Sequence, residues 1–468
     1  MIDTARLILF LLWVNLLPPL AQQILGKRFA WQVDGGLIFF DGQPLFGRHK
    51  TVRGLLASVV GGTAFFLVVA LPWQVAALAA LAAMAGDLLS SFIKRRLHKP
   101  VGASIFALDQ IFEALLPLLV IHSYRPLFWW QFVVVLLVFV VLAYLGALFW
   151  QYLTRHPPPE NYARIVRSTV RYREWRSCHE PLARWQTLLN LTSFLSDQVL
   201  LTAFFKITGL YSRGVTNALA FQLEKQDCLL AHLPAAFDGY RILLLTDLHL
   251  DGLPEVTSRI IDSLQGVDAD LCLIGGDIRM KTYGPNAPCL RELRPLIAAL
   301  RFRDGLFGVL GNHDCIEMTP DFEEAGITML INDSEAIRRG SEAIWLVGVD
   351  DPHYYKTDDV AHAFRNVPDN ASVVFLAHSP EVYEEAAAYG ASLYLCGHTH
   401  GGQIRLPGSA ALLTNSRAPR YTAAGSWRYG AMQGYTSRGV GVSGVPLRFN
   451  CPGEITLITL KRQAASVD

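Results

Sequence analysis

The chain of 468 residues is short of charge. Charged residues make up 17 % of it and apolar residues 51 %, whereas a typical soluble domain carries about 25 % charged residues. This composition excludes a disordered chain, which would be polar and rich in charge. The net charge of +1 provides no overall field that attracts nucleic acid, so we expect no nucleic-acid partner.

The sequence also lacks paired cysteine motifs. Its seven cysteines contain no C-x-x-C, and their number is odd. This argues against a zinc ribbon and against the disulfide framework of a small secreted domain. A reducing compartment is the simpler interpretation, so we expect free cysteines.

Acidic residues are scarce in the first third of the chain, where residues 1–150 hold six of the 40. Long runs there carry little or no charge, and about 20 apolar residues cross a bilayer. The pattern predicts an all-helical membrane domain, residues 1–150, with about five spans. The runs lie at 7–24, 55–86 (two spans, divided near residue 72), 105–123 and 127–150.

Basic residues set the expected orientation of this domain. They cluster at 27–53, 94–99 and 155–176, and a five-span arrangement puts all three clusters on one side. The positive-inside rule makes that side cytoplasmic, which predicts an inner-membrane protein whose remaining chain faces the cytoplasm. We interpret residues 151–235 as a basic linker with interfacial helices, including one at 187–210 that does not span the membrane.

From residue 236 onward, short β-rich runs alternate with helical stretches, as in a soluble α/β domain. Runs at 241–245, 271–274, 307–310, 373–376 and 393–396 each lead into metal-ligand residue types. Ligands placed just after strands converge at one edge of a sheet. Aspartate, asparagine and histidine suit Mn, Fe or Zn better than Ca.

These motifs, D-x-H, G-D, G-N-H-D, a single His and G-H-x-H in this order, resemble those of the calcineurin-like metallophosphoesterases. The sequence G-H-T-H-G-G-Q at 397–403 resembles their membrane-associated subgroup. The resemblance covers residues 236–462 and implies a two-sheet α/β sandwich flanked by helices. It also implies a metal-dependent hydrolase of phosphoric esters with two divalent ions.

The resemblance implies a role for each motif residue. One metal would be held by Asp247, His249, Asp277 and His400. The other would be held by Asp277, Asn312, His378 and His398, with Asp277 as the bridge. His313 would act on the leaving oxygen as an acid or charge stabiliser, and Asp314 would orient its imidazole.

The loops of the membrane domain resemble those of CDP-archaeol synthase and the phosphatidate cytidylyltransferases, in D-G-x-x-L-x-G-x-x-K-T-x-R-G, G-D-x-x-x-S-F-I-K-R-R and L-D-Q. The resemblance implies a site that binds CTP and Mg. There the cytidylyl group of CTP would be transferred to a lipid phosphate, which gives a CDP-lipid and pyrophosphate. A membrane domain kept only as an anchor is the alternative. The residues of that site would be Lys50, Arg53, Asp87, Lys94, Arg95, Arg96 and Asp109.

Three functions fit the two halves together. The first is a membrane-embedded phosphoesterase that hydrolyses phosphate or pyrophosphate bonds of lipids or lipid precursors, since some membrane-associated relatives cleave UDP-diacylglucosamine. The second is a bifunctional enzyme with an active cytidylyltransferase half. The third is a membrane-anchored phosphoesterase for a soluble substrate.

Overall fold

The computed structural model describes most of the chain, in two compact units at residues 1–155 and 156–468. The predicted start of the fourth span at 105–107 and most of the predicted interfacial helix, 187–199, lie outside the described residues. The described residues are 4–26, 28–47, 49–97, 108–154, 162–178, 200–282, 284, 286–406 and 414–463.

The first unit is helical, as predicted. Its helices are α1 (Thr4–Leu25), α2 (Val52–Ala64), α3 (Phe66–Val69), α4 (Trp73–Arg96), α5 (Leu108–Tyr124) and α6 (Trp129–Thr154). Helix α2 begins where the Thr51 hydroxyl accepts a hydrogen bond from the Gly54 amide. Helices α4 and α5 approach closely at Gly86, where a Cβ atom would lie 2.2 Å from the Phe112 carbonyl oxygen.

Three helices of the described residues are long and apolar enough to cross a membrane: α1, α4 and α6 over Trp129–Trp150. The prediction of about five spans is not confirmed. Helices α2 and α5 occupy two of the predicted positions but are 13 and 17 residues long, which is short for a span of about 20 residues.

The second unit is an α/β sandwich that follows three peripheral helices. These are α7 (Ser168–Cys178), α8 (Thr202–Ile207) and α9 (Tyr211–Ala218). The strands are β1 (Gln222–Leu230), β2 (Arg241–Leu245), β3 (Leu271–Ile274), β4 (Leu306–Gly308), β5 (Thr328–Met329), β6 (Asp333–Arg339), β7 (Glu342–Gly348), β8 (Ser372–Leu376), β9 (Leu393–Cys396), β10 (Gly425–Tyr429), β11 (Met432–Thr436) and β12 (Glu454–Arg462). The helices between them are α10 (Val256–Ser263), α11 (Ala287–Ala299), α12 (Thr319–Ala325), α13 (Val360–Ala363) and α14 (Tyr383–Ala388).

The strands form two six-stranded sheets, in the orders β1-β12-β2-β3-β4-β5 and β10-β11-β9-β8-β7-β6. Strands β2 to β5 are parallel, and so are β7 to β9. Residues such as Leu244, Leu273, Val374 and Leu395 are buried in one core between the sheets. Strands buried on both faces read as continuous apolar runs, which is why β2, β3 and β9 have the predicted bounds.

Residues 162–178 pack against the sandwich and form what we call the strap. Arg164 pairs with Asp350 at 2.7 Å and with Glu174 at 2.5 Å, and its side chain is buried. Asn332 donates a hydrogen bond to the Ala163 carbonyl. This part of the predicted basic linker therefore belongs to the folded second unit.

Candidate metal centre

The predicted ligands follow the carboxyl ends of the parallel strands. Asp247 comes after β2, Asp277 after β3, Asn312 after β4, His378 after β8 and His398 after β9. All seven predicted metal ligands are buried, with at most 8 % of any residue exposed. The structure therefore brings together, at adjacent edges of the two sheets, residues that are up to 153 positions apart in the sequence.

Five of these residues have a left-handed backbone. The φ angles are 50° at Asp247, 43° at His249, 54° at Asp277, 72° at His398 and 49° at His400. This conformation costs free energy in residues other than glycine and concentrates at functional sites. The backbone is thus held in a strained form at the positions that aim these side chains inward.

One cluster of donor groups contains Asp247, His249 and His400. The Nε2 atoms of His249 and His400 are 3.3 Å apart, and the Nε2 atom of His400 lies 3.5 Å from Asp247 Oδ1. The Nε2 atom of His249 is also 3.7 Å from Asp277 Oδ2. These atoms match the first predicted ligand set.

A second cluster contains Asp277, His378 and His398. The Nε2 atom of His378 lies 3.3 Å from Asp277 Oδ2 and 2.9 Å from Asn312 Oδ1. It is 3.2 Å from His398 Nδ1. Asp277 therefore adjoins both clusters, in the position predicted for a bridging carboxylate.

Backbone carbonyls orient three of the histidines. The Nδ1 atom of His249 lies 2.9 Å from the Arg279 carbonyl, and that of His378 lies 2.8 Å from the Gly275 carbonyl. For His398 it is Nε2 that faces a carbonyl, that of Asn415, at 2.9 Å. A nitrogen that donates to a carbonyl leaves the other nitrogen with a lone pair. In each ring that second nitrogen faces the cluster.

Two glycines permit the close packing of the carboxylates. A Cβ atom on Gly311 would lie 2.3 Å from Asp277 Oδ1, and one on Gly397 would lie 2.2 Å from Asp247 Oδ2. Both glycines stand in the motifs, immediately before Asn312 and His398. Sequence reasoning identified the motifs but not this steric requirement.

Burial and neighbouring charge set the ionisation of the centre. Burial would raise the pKa of Asp277, but the surrounding histidines outweigh it and hold that pKa well below its usual value. Burial opposes a charge on His378, yet Asp277 and Asp247 raise its pKa to about 10. Burial and the charge of His313 lower the pKa of His249 to about 3.

His313 lies at the edge of the centre. Its Nε2 atom is 3.8 Å from Asp277 Oδ2, and its Nδ1 atom contacts the Met280 carbonyl. The prediction that Asp314 orients the imidazole differs from this geometry. The Asp314 carboxylate instead accepts hydrogen bonds from the backbone amides of Gly311 and Ile278, so it fixes the loop that carries His313.

Three further residues of the site were not found from the sequence. Arg448 is buried and lies 3.3 Å from His400 Nδ1. The Ser443 hydroxyl is 3.4 Å from His313 Nε2. The ring of His353 packs 4.1 Å from that of His398. Arg448 begins the segment R-F-N-C-P-G-E-I at 448–455, which resembles the membrane-associated subgroup, but the resemblance assigned it no role in the site. His353 was predicted to be a surface histidine, which its contact with His398 corrects.

The prediction that all cysteines are free is wrong for Cys178, which lies in the strap, and for Cys315. Cys178 and Cys315 form a disulfide bond, and the other five cysteines are buried thiols. Cys315 directly follows the G-N-H-D motif. The guanidinium of Arg279 donates to the carbonyls of His313 and Ser177. Two links therefore join the strap to the loop that carries His313.

The polar residues predicted for the membrane domain form ion pairs. Lys50 pairs with Asp87 at 2.5 Å, and Lys94 with Asp109 at 2.8 Å. Arg96 pairs with Asp41 at 2.6 Å. Lys50 and Asp87 also line a cavity of about 200 Å³. Of the other predicted residues, Arg95 is buried and Arg53 donates to the carbonyls of Gly26 and Arg28.

Comparisons with known proteins identify a family for each half of the chain. The family profile "Calcineurin-like phosphoesterase" matches residues 240–402, and the profile "CDP-archaeol synthase" matches residues 4–155. Phosphodiesterase YaeI of Escherichia coli is 32 % identical over 231 residues, which cover 47 % of this chain and 82 % of that protein. The chain is a calcineurin-like metallophosphoesterase with a CDP-archaeol synthase-like membrane domain.

Two more relatives illustrate the two halves. Metallophosphoesterase YkuE of Bacillus subtilis is 28 % identical over 238 residues, covering 49 % of this chain and 82 % of that protein. CDP-archaeol synthase of Pyrobaculum arsenaticum is 39 % identical over 126 residues, covering 25 % of this chain and 77 % of that protein. This metallophosphoesterase is thus a metal-dependent phosphoester hydrolase and a membrane protein, and its histidine and aspartate clusters fit divalent metal ions.

Proposed function

We propose that this metallophosphoesterase is a two-metal hydrolase of phosphate or pyrophosphate bonds in lipids or lipid precursors. The observation that carries the proposal is the position of Asp277. Its Oδ2 atom lies 3.3 Å from His378 Nε2 in one cluster and 3.7 Å from His249 Nε2 in the other. One carboxylate next to two histidine clusters is the arrangement that two adjacent cations require.

The donor set supports metal binding on its own chemistry. The proposed ligands are Asp247, His249, Asp277 and His400 for one ion, and Asp277, Asn312, His378 and His398 for the other. Three of the histidines are oriented by carbonyls so that a lone pair faces the cluster. Imidazole, carboxylate and amide oxygen suit Mn, Fe or Zn.

The bound metals would supply an activated water and hold the phosphoryl oxygens. The chain's own contribution is position and charge. The contact of His313 Nδ1 with the Met280 carbonyl leaves Nε2 at the edge of the site. Burial lowers the pKa of His313, while the charge of Asp277 acts in the opposite direction. We propose that His313 acts in its imidazolium form, with Nδ1–H on the Met280 carbonyl. It gives its Nε2 proton to the leaving oxygen and becomes a neutral imidazole, while Asp314 holds its loop.

The membrane helices support a lipid substrate and an inner-membrane location. A site tethered to a bilayer meets lipid phosphates at high local concentration. The basic clusters of the loops support a phosphoesterase domain that faces the cytoplasm. A reporter enzyme fused to the C-terminus tests that orientation, because cytoplasmic and external reporters are active on opposite sides of the membrane.

The substrate test uses the full-length protein in lipid nanodiscs with Mn²⁺. It is offered a nucleotide-diphospho-lipid, a lipid phosphate monoester and a soluble aryl phosphodiester. The proposal predicts faster turnover of a lipid, and loss of that turnover in His313→Ala. Equal or better turnover of the soluble ester alone would instead favour a membrane-anchored phosphoesterase for a soluble substrate.

A second function is favoured by the ion pair of Lys50 and Asp87 at the cavity of the membrane domain. A lysine and a carboxylate at one cavity can serve a triphosphate and its Mg²⁺ ion. The bifunctional hypothesis predicts that full-length protein incorporates labelled CTP into a lipid phosphate, and that Asp87→Asn abolishes this. If wild-type protein shows no incorporation, the membrane domain is an anchor.

A further inference from the structure

An apolar surface is exposed on the second unit, away from the core between its sheets. It consists of the side chains of Leu200, Leu201, Phe204, Ile207 and Leu210, at and around helix α8, and we call it the apolar ridge. Phe204 is 56 % exposed and Ile207 is 85 % exposed. Contiguous exposed apolar side chains mark an interaction site with protein or membrane.

The apolar ridge is fixed to the sandwich by the one side chain that points inward. Phe205 is buried and stacks on Phe449, with ring centroids 5.2 Å apart. It packs in a cluster with Leu447 and Ile404. The ridge is therefore attached to the folded domain through Phe205.

The same attachment leads directly to the metal centre. Arg448 stands between Leu447 and Phe449, and its guanidinium lies 3.3 Å from His400 Nδ1. The Arg448 amide donates to the Gly214 carbonyl of helix α9. Ile404 follows the G-H-T-H-G-G-Q motif that contains His400. One short path of packed residues thus joins the ridge to a proposed ligand.

The charge around the apolar ridge fits an anionic lipid surface. Residues 200–223 contain no aspartate or glutamate. Lys206 and Arg213 are the basic residues of this segment, and both are exposed. Basic side chains beside exposed leucine and phenylalanine are typical of segments that lie in the interface of a membrane.

The segment that links the two units is short. Helix α6 ends at Thr154, and Tyr162 of the strap donates a hydrogen bond to Glu323 of the sandwich. Eight residue steps separate Thr154 from Tyr162, and each spans about 3.5 Å at full extension. The connection is therefore at most about 28 Å long.

We propose that the apolar ridge inserts into the lipid bilayer and holds the phosphoesterase domain against the membrane surface. The inserted side chains are those of Leu200, Phe204 and Ile207, with Lys206 and Arg213 at the headgroups. This contact goes beyond the proposed function and does not depend on it, since a bilayer surface can hold the domain whatever the substrate. If the substrate is a lipid, the ridge sets the approach to His400.

Photolabelling with a lipid tests this contact. Full-length protein is placed in nanodiscs of phosphatidylcholine and phosphatidylglycerol that contain a phospholipid with a diazirine in its acyl chain. After irradiation, lipid adducts are mapped by peptide mass spectrometry. We expect adducts on residues 200–210 as well as on α6, and at least a fivefold loss of the former in the double variant Phe204→Ser, Ile207→Ser.

Leu229→Ser is the matched control, because Leu229 is 52 % exposed on β1 of the same domain. It should leave the labelling of residues 200–210 unchanged. Unfolding temperature and hydrolysis of a soluble aryl phosphodiester show that each variant is folded. If the double variant unfolds, Ile207→Ser alone takes its place with an expected twofold loss. Adducts on α6 without adducts on residues 200–210 of the wild-type protein would overturn the proposal.

Discussion

The aspartates in the two halves of this metallophosphoesterase have different ion-pair partners. In the membrane domain, Asp87 and Asp109 each pair with a lysine, within 2.8 Å. In the phosphoesterase domain, among the ion pairs of the described residues, Asp247 and Asp277 pair only with histidines. Both histidine-lined aspartates are fully buried, and both lysine-paired ones are partly exposed.

This difference indicates where bound cations are needed. A lysine neutralises a carboxylate with the protein's own charge, so the pair is complete without a ligand. Histidines must be neutral to bind a metal ion, and in that form they leave the negative charge of the carboxylates uncompensated. Burying such a charge is costly. Divalent cations would supply the missing positive charge in the phosphoesterase domain, whereas the ion pairs of the membrane domain are balanced without a ligand.

The largest expected effect comes from removing the charge of Asp277. Asp277→Asn should lower hydrolysis of an aryl phosphodiester by about a thousandfold or more, since both clusters lose their shared carboxylate. Steady-state kinetics of the full-length protein with Mn²⁺ measures this. Asp87→Asn is the matched control and should leave the same hydrolysis unchanged. A similar loss in both variants would break the comparison between the halves.

The next effect concerns the acid at the edge of the site. His313→Ala should lower kcat by about a hundredfold, within the usual range for a general acid, and should leave the bound metal in place. The loss should be smaller for a substrate whose leaving group is a weaker base, such as p-nitrophenol. An equal loss for good and poor leaving groups would exclude the proposed role as an acid.

The third effect is a dependence of stability on pH in the metal-free protein. Asp277 and Asp247, against the opposing effect of burial, raise the pKa of His378 above 6.5 to about 10. The resulting stabilisation is complete below about pH 6.5 and is lost as the pH rises towards 10. The unfolding temperature of the phosphoesterase domain should fall by about 4 °C or more from pH 7 to pH 10.

His378→Asn provides the comparison for this pH dependence. Calorimetry of the metal-free variant should give a flatter profile over the same range, because the titrating imidazole is gone. A wild-type profile parallel to that of the variant would show that His378 does not hold the proton.

The smallest expected effect is that of the disulfide at the strap. Cys178→Ser should lower the free energy of unfolding of the phosphoesterase domain by about 2–4 kcal/mol, with activity retained below the unfolding temperature. Denaturation in urea measures it. Trapping of free thiols in intact cells then tests on which side of the membrane the domain lies. In a cytoplasmic domain, Cys178 and Cys315 are expected to be reduced.

Much of the catalytic half could be predicted from its sequence. Apolar strands buried on both faces, such as β2, β3 and β9, have the predicted bounds. The motif residues that follow these strands lie together in the buried centre. The edge strand β1 was missed because its apolar side chains are diluted by exposed polar ones. The family resemblance implied that Asp314 orients the His313 imidazole, whereas the backbone directs its carboxylate to the amides of Gly311 and Ile278.

Long-range contacts account for the other differences. The strap was predicted as part of a basic linker because this stretch of the sequence is polar and rich in arginine. Arg164, however, has buried carboxylate partners in Glu174 and Asp350. The disulfide of Cys178 and Cys315 joins residues 137 positions apart, so no local sequence pattern predicts it. Composition located the membrane domain but not the length of each helix, which decides the number of spans.

The metal content of the purified full-length protein tests the central claim most directly. After loading with Mn²⁺ and removal of excess metal, elemental analysis should find two ions per chain in the wild-type protein and in Asp87→Asn. It should find at most one in Asp277→Asn, because the carboxylate shared by the clusters is lost. A wild-type protein that binds a single ion, or an Asp277→Asn protein that still binds two, would contradict the account.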